Sequence, residues 1–217
     1  MSDAPERPQI YLITPAEMPE LQVPRALAEI VDAVEIACLR LRAGSDDLDQ
    51  LARSADVMRA FAHERDLPLV IETHLGLVER LGLDGVHLTD GSKSVRTARK
   101  DLGSDAIIGA YCGNSRHDGM TAGELEADYV SFGPLAATPL IANEPAERDL
   151  FAWWSEMIEV PVVAEGALLP LERGFDAAQD LAPLVSLGEI TDFFAFGSDL
   201  WRQDDPVAIL KALDAAL

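Results

Sequence analysis

Two arginines that end an apolar segment are the side chains best suited to chemistry. Arg40 and Arg42 close the segment 35–42. Alternation along a strand puts both on one face, with Leu39 and Leu41 on the other. Because an unpaired buried charge is costly, arginines on an inner face need an anion or a carboxylate partner. A guanidinium offers forked donors that match phosphate. The pattern indicates either a phosphate or pyrophosphate site or an internal ion pair.

A carboxylate, a hydroxyl and an imidazole follow one another at the end of the next apolar segment, as Glu72, Thr73 and His74. They could bind a metal or move protons, but three neighbours along an extended chain do not all face one site. We therefore expect Glu72 to pair with Arg40 and Thr73 to cap the helix that follows.

The histidines give no metal signature. His87 lies inside the apolar segment 85–89, where a lone histidine is more often a hydrogen-bonded structural residue than a catalyst. His63 and His117 have no supporting context, and the sequence contains neither H-x-x-x-H nor H-E-x-x-H. We therefore expect no zinc site.

Small residues end the last two apolar segments, at Gly166 and Ala167 and at Gly197 and Ser198. In barrel enzymes, backbone N–H groups after the seventh and eighth strands commonly hold phosphate, and glycine allows close approach. These positions are candidate phosphate contacts, although small residues also serve ordinary tight turns.

The elements that would position these residues alternate between short apolar runs and helical segments. Positions 48, 51, 55, 58 and 62 are apolar at helical spacing after the candidate caps Asp46 and Asp47, and Pro206 begins a last helix over 205–216. This alternation is typical of a parallel sheet. The eight predicted strands cover residues 9–14, 35–42, 67–73, 85–89, 106–112, 129–134, 160–166 and 192–198.

Eight such units predict a single (β/α)₈ TIM barrel over residues 1–217, with 1–8 as a loose lead-in. The rival is an open doubly wound sheet, but no G-x-G-x-x-G follows the first strand. The segment 135–147 is a long loop on the catalytic face, either a lid or a surface excursion. The two cysteines, Cys38 and Cys112, are expected as buried hydrophobic residues.

Charge and hydropathy exclude some classes of partner. The 38 acidic residues exceed the 17 basic residues, which gives a formal net charge of −21. Such a surface repels nucleic acid and anionic membrane, so a phosphorylated ligand needs a local positive site. No run approaches the ~18 apolar residues of a membrane span, and the polar start is not typical of a signal peptide. We expect a cytoplasmic protein.

The ordered strand ends resemble the thiamine-phosphate synthase family, which includes thiazole tautomerases, over residues 9–217. The resemblance rests on IYLIT at 10–14, LR at 39–40, LDGVHL at 83–88, AIIG at 106–109, DYVSFGP at 128–134 and VPVVA at 160–164. It implies a barrel of thiamine biosynthesis that joins an aminopyrimidine diphosphate to a thiazole phosphate and releases pyrophosphate, with Mg²⁺ as the metal.

Several positions depart from the family pattern, so the chain resembles a divergent member. The family's Q-L-R-x-K becomes C-L-R-L-R at 38–42, with Arg42 in the lysine position. Thr73 and Ser92 stand where the resemblance implies magnesium ligands, although Asp90 could replace the second with a shifted loop. Tyr111 stands in place of a serine.

The later strand ends depart as well. Thr138 is kept, but Ile141 stands where a lysine is expected. A-x-G-G becomes A-E-G-A at 164–167, and Pro134 stands where tautomerases have a histidine. Glu165 would repel a bound phosphate if its side chain pointed inward.

Two hypotheses remain open. As a transferase, the chain would hold the diphosphate with Arg40 and Arg42, and Mg²⁺ would be needed. The thiazole phosphate would lie on Gly166, Gly197 and Ser198, and the pyrimidine beside Tyr111, with Glu72, Thr73 and Thr138 nearby.

As a non-catalytic barrel, the chain would bind a phosphorylated small molecule or a protein partner, including a second copy of itself. Arg40 would then pair with Glu72, and Tyr111 would close the mouth. Trp153 and Trp154 would mark a partner contact, unless one of them packs on the barrel.

Overall fold

A computed structural model describes residues 7–16, 23–42, 44, 47–137, 144–171 and 173–217 of the chain. The strands are β1 Gln9–Ile13, β2 Ile36–Leu41, β3 Leu69–Glu72, β4 Gly85–Leu88, β5 Ile107–Tyr111, β6 Tyr129–Phe132, β7 Val162–Glu165 and β8 Phe193–Phe196. The helices are α1 Arg25–Val31, α2 Leu48–His63, α3 Leu75–Leu81, α4 Val95–Leu102, α5 Arg116–Glu124, α6 Arg148–Met157, α7 Ala177–Gly188, α8 Ser198–Trp201 and α9 Pro206–Asp214.

The strands form a closed parallel barrel. Each strand pairs with the next one along the chain, and β8 pairs with β1. The predicted (β/α)₈ TIM barrel is therefore confirmed, and the open doubly wound sheet is excluded. Each predicted strand is present, trimmed by two residues or fewer at either end. In this architecture the carboxyl ends of all eight strands meet at one rim, the barrel mouth.

Side-chain alternation divides the apolar residues between two layers. Leu39 and Leu41 belong to the large core between strands and helices. Tyr11 and Tyr129 belong to a smaller cluster inside the barrel. Gly109 makes room for it, because a Cβ there would lie 2.0 Å from Cζ of Tyr129. The face that carries Arg40 therefore points into the barrel, as the sequence predicts.

Most of the caps and buried positions predicted for α2 and α9 are present in the structure. Asp47 caps α2 by accepting hydrogen bonds from the backbone N–H groups of Asp49 and Gln50, whereas Asp46 lies outside the described residues. Four predicted apolar positions of α2 are buried, but Leu48 is 59% exposed because the first turn faces solvent. In α9, Pro206 occupies the first position and the core-facing side chains are buried, as predicted.

Two loop predictions have different outcomes. The predicted helix cap at Thr73 is wrong, because His74 directly precedes α3 and no side chain caps it. Thr73 instead adopts a left-handed backbone with φ of 58°. Of the predicted loop 135–147, the structure describes 135–137 and 144–147, so Thr138 and Ile141 lie outside the described residues.

No described helix has the length and apolar character that a membrane span requires.

Candidate functional site at the barrel mouth

A cavity of about 300 Å³ opens at the barrel mouth. It brings together most of the predicted site residues, although Thr73 is absent from its described lining. Two further polar residues of the described lining, Thr89 and Asp199, were not among the site residues predicted from the sequence. The predicted residues in the lining are Arg40, Arg42, Glu72, Tyr111, Gly166, Gly197 and Ser198.

Arg40 is held by two glutamates. Its side chain is only 3% exposed. One terminal nitrogen donates to Oε2 of Glu165 at 3.0 Å, and the other donates to Oε1 of the same carboxylate. Nε lies 3.3 Å from Oε1 of Glu72. The predicted pair with Glu72 is present, but the two-pronged partner is Glu165, which sequence reasoning treated only as a source of repulsion.

The charge states of this pair follow from burial and contact. Burial alone would raise the pKa of Glu165, but the charge of Arg40 and the hydrogen bonds to the carboxylate lower that pKa to about 2. Burial disfavours the charged guanidinium of Arg40, yet Glu165 and its other neighbours raise the pKa of Arg40 above the ordinary value. Both groups are therefore ionised at neutral pH.

The backbone after each glutamate is constrained. Thr73 follows Glu72 with φ of 58°, and Gly166 and Ala167 follow Glu165 with φ of 80° and 55°. Left-handed backbone is costly for a β-branched residue, and such strain concentrates at ligand and active sites. The constrained turns after β3 and β7 therefore lie directly beside the two glutamates that contact Arg40.

Arg42 lies in a different environment two residues further on. Its side chain is exposed at the mouth, and Nη1 donates to the hydroxyl oxygen of Ser198 at 2.6 Å. Its backbone N–H donates to Oγ1 of Thr14 at 3.0 Å, which fixes the end of β2 against that of β1. The described side-chain partner of Arg42 is therefore a neutral hydroxyl rather than a carboxylate.

Beneath Arg40, polar side chains cross the barrel interior. The hydroxyls of Tyr11 and Tyr129 lie 2.7 Å apart, and the Tyr129 hydroxyl lies 2.9 Å from Nδ1 of His87. Nε2 of His87 lies 3.9 Å from Oε2 of Glu165. Burial, and then the charge of Arg40, lowers the pKa of His87 to about 3. His87 is therefore a neutral structural residue, as expected.

Asp199 occupies part of the predicted phosphate site. Its carboxylate, 3% exposed, accepts backbone N–H groups from Leu169 at 3.0 Å, Gly197 at 3.2 Å and Leu200 at 3.1 Å. The N–H of Gly197 therefore serves an internal carboxylate. Asp199 lies in the first turn of α8, where acidic side chains are favoured, and this was the local signal in the sequence for its position.

Tyr111 forms part of the cavity wall. Its hydroxyl donates to the backbone carbonyl of Gly133 at 2.6 Å, which holds the ring at the side of the cavity. The cavity beside it stays open, so the expectation that Tyr111 closes the mouth is wrong.

The residues at the expected magnesium positions do not form a metal site. Thr73 is exposed, and the hydroxyl of Ser92 donates to Asp118 at 3.2 Å. Asp90, the alternative ligand, accepts a hydrogen bond from Ser94 at 2.7 Å. Within the described ranges, no three His, Cys, Asp or Glu side chains gather as metal ligands.

The carboxylates that do face the cavity are engaged. Glu72 and Glu165 flank Arg40, and Asp199 is bound by backbone N–H groups. Magnesium requires available carboxylate oxygens or substrate phosphates around it. The donor set of the residues that the structure describes therefore does not fit a protein-held Mg²⁺.

The two adjacent tryptophans differ in burial. Trp154 is fully buried, and its Nε1 donates to the carbonyl of Val160 at 2.7 Å. Trp153 is half-buried, with the guanidinium of Arg116 4.8 Å from its ring centre. The packing interpretation is confirmed for Trp154.

The sequence of the chain is similar to those of known thiamine-phosphate synthases. The family model described as thiamine monophosphate synthase matches residues 10–170. The chain is 36% identical over 198 residues to a thiamine-phosphate synthase of Rhodospirillum centenum, covering 89% of each chain. It is 37% identical over 218 residues to one of Hyphomonas neptunium, covering 96% of this chain and 93% of that protein.

Among solved structures, the chain resembles a thiamine phosphate pyrophosphorylase from Pyrococcus furiosus. The TM-score is 0.77 at 18% identity, covering 96% of this chain and 94% of that one. At this identity the structural match speaks for the barrel fold alone.

Proposed function

This chain belongs to the thiamine monophosphate synthase family, and we propose that it acts in thiamine biosynthesis as a synthase-like protein that binds phosphorylated substrates at its barrel mouth. The observation that carries this proposal is the contrast between a charged Arg42 beside Ser198 and an Arg40 already paired. A cavity of about 300 Å³ matches a small heterocyclic ligand.

The phosphate of the thiazole substrate would contact Arg42 and Ser198. A guanidinium and a hydroxyl on neighbouring strand ends offer charge-assisted hydrogen bonds to one phosphate. Gly166 lies beside them in the lining, where the lack of a side chain allows close approach. In this proposal Tyr111 forms the wall against which the ring of the ligand packs.

The proposed reaction is the one that the family resemblance implies. The bond between the pyrimidine methylene carbon and the diphosphate oxygen breaks, the thiazole nitrogen forms a new bond to that carbon, and pyrophosphate departs. Cationic groups that contact the departing diphosphate would ease this step. With Arg42 on the thiazole phosphate, that contact would fall to Arg40, which must first exchange Glu165 for the diphosphate. Because the residues do not fit Mg²⁺, the proposed roles rest on the protein's own groups.

A second candidate is a barrel that binds a phosphorylated ligand without transferring it. The observation that favours it is the double engagement of Arg40 by Glu165 and Glu72.

We also propose a cytoplasmic location, which cell fractionation would test, and a homodimer, which analytical ultracentrifugation would test.

Calorimetric titration with thiazole phosphate, and then with the aminopyrimidine diphosphate, tests the proposal. We expect the wild type to bind thiazole phosphate without Mg²⁺. Arg42→Gln should weaken this binding about tenfold or more, since a hydrogen bond to a charged group is lost. The matched control is Arg96→Gln on the exposed face of α4, which should bind like the wild type. If the wild type bound neither ligand, the proposal would be contradicted.

A turnover assay then separates the two candidates. Release of pyrophosphate that depends on both substrates supports the transferase. Tight thiazole phosphate binding with no pyrophosphate release supports the non-catalytic barrel.

A further inference from the structure

We propose that Glu165 acts as an internal anion that excludes diphosphate from Arg40 and so restricts the cavity to ligands bound through Arg42. The inference favours the second candidate, a barrel that binds a phosphorylated ligand without transferring it, and rests on the proposed function only for the identity of the natural ligand. The carboxylate of Glu165 and an external anion would compete for the guanidinium of Arg40.

The first support is the occupancy of the guanidinium. Both terminal nitrogens of Arg40 donate to the two oxygens of Glu165, and Nε faces Glu72. An arginine recognises phosphate through a free edge that carries two parallel N–H groups. Arg40 is only 3% exposed, so a diphosphate cannot reach that edge without displacing Glu165.

The second support is the way in which the fold holds Glu165. The strand turns directly after it through Gly166 and Ala167, both with positive φ. On the neighbouring strand end, a Cβ on Gly133 would lie 1.7 Å from the backbone oxygen of Glu165, so only glycine fits there. Strained backbone persists where the surroundings over-determine it. The backbone position from which the Glu165 side chain reaches Arg40 is therefore constrained.

The third support is the charge balance of the cavity lining. Among the described residues of the lining, two cations, Arg40 and Arg42, face three carboxylates, Glu72, Glu165 and Asp199, which gives a formal charge of −1. A diphosphate carries more negative charge than a monophosphate and would lie closer to these carboxylates. Removing the charge of Glu165 brings this formal charge to zero and takes away the carboxylate that contacts Arg40.

Calorimetric titration with inorganic pyrophosphate tests the inference on the full-length chain. We expect Glu165→Gln to bind pyrophosphate at least tenfold more tightly than the wild type. The double variant Glu165→Gln/Arg40→Met should lose that gain, because the gain depends on a freed guanidinium. Glu124→Gln, an exposed position on α5, removes the same formal charge and should bind like the wild type.

Three results would overturn the inference. They are an unchanged affinity in a folded Glu165→Gln variant, an equal gain in Glu124→Gln, and a gain that persists without Arg40. Circular dichroism and a thermal melt verify the fold. Glu165→Ala removes the same carboxylate and predicts the same gain if the glutamine variant fails to fold.

A measurement on the wild type covers failure of both variants. In a protein labelled with ¹⁵N-arginine, added pyrophosphate should shift the side-chain signal of Arg42 and leave that of Arg40 unchanged. A shift at Arg40 overturns the inference. Failure of the proposed function would show separately, as absent binding of thiazole phosphate to the wild type.

Discussion

Arg40 and Arg42 share one face of one strand, yet the barrel gives them opposite environments. Arg40 lies inside, paired with Glu165 and Glu72, whereas Arg42 lies at the mouth beside the hydroxyl of Ser198. The difference arises from height in the barrel, because a displacement of two residues moves a side chain from the closed interior to the open rim. A positive charge in a barrel is therefore not equivalent to an anion site.

The largest expected effect is on stability when Arg40 is replaced. Arg40→Met leaves two glutamates without their cation in a buried setting, and losing one partner of a buried pair costs about 3–5 kcal/mol. We expect urea denaturation to show a loss of this size. A loss below about 1 kcal/mol, with an unchanged dependence of the unfolding free energy on urea concentration, would contradict the different roles given to Arg40 and Arg42.

Acidification should reveal the same pair. The pKa of Glu165 is lowered from 4.5 to about 2. A carboxyl with a lowered folded-state pKa contributes stability that is fully present above its unfolded pKa and is lost as pH falls through the folded value. The wild type should therefore lose roughly 3 kcal/mol more than Glu165→Gln between about pH 5 and pH 2. Equal losses in urea titrations across that range would contradict the pairing.

The interior network beneath Arg40 should respond more strongly than the cavity wall. Tyr129→Phe removes the hydroxyl that contacts both Tyr11 and His87. Unsatisfied buried groups cost about 1–3 kcal/mol. Tyr111→Phe removes a hydrogen bond at the partly exposed wall, for which we expect about 1 kcal/mol or less. Thermal melts of the two variants provide the comparison, and the reverse order would break it.

The smallest expected effect on stability belongs to Arg42. Arg42→Gln should change the free energy of unfolding by no more than about 0.5 kcal/mol, as is usual for exposed positions. Thiazole phosphate affinity should nevertheless fall in the same variant. A large loss of stability in urea denaturation would mean that Arg42 is structural.

Local patterns in the sequence predicted much of this arrangement. Alternation along β2 predicted the inward face of Arg40 and the packing of Leu39 and Leu41 under the helices, because side-chain direction is a local property of a strand. The closed barrel follows from eight repeating units, and the cap at Asp47 follows from residue type and position.

The partners could not be predicted in the same way. Glu165 and Arg40 are separated by 125 positions in the sequence, and their meeting depends on barrel closure and on the length of two side chains. The turn at Thr73 contradicts local preference, since a β-branched residue disfavours positive φ. The place of Asp199 in the first turn of α8 is a local signal, but its bond to the backbone of Leu169 joins the segments after β7 and β8 and depends on the tertiary fold.

A crystal structure of the protein with thiazole phosphate bound tests the central claim most directly. We predict the phosphate on Arg42 and Ser198, with both oxygens of Glu165 still bound to Arg40. A phosphate on Arg40, with Glu165 turned away, would contradict the account and return Arg40 to the role of a substrate-binding cation.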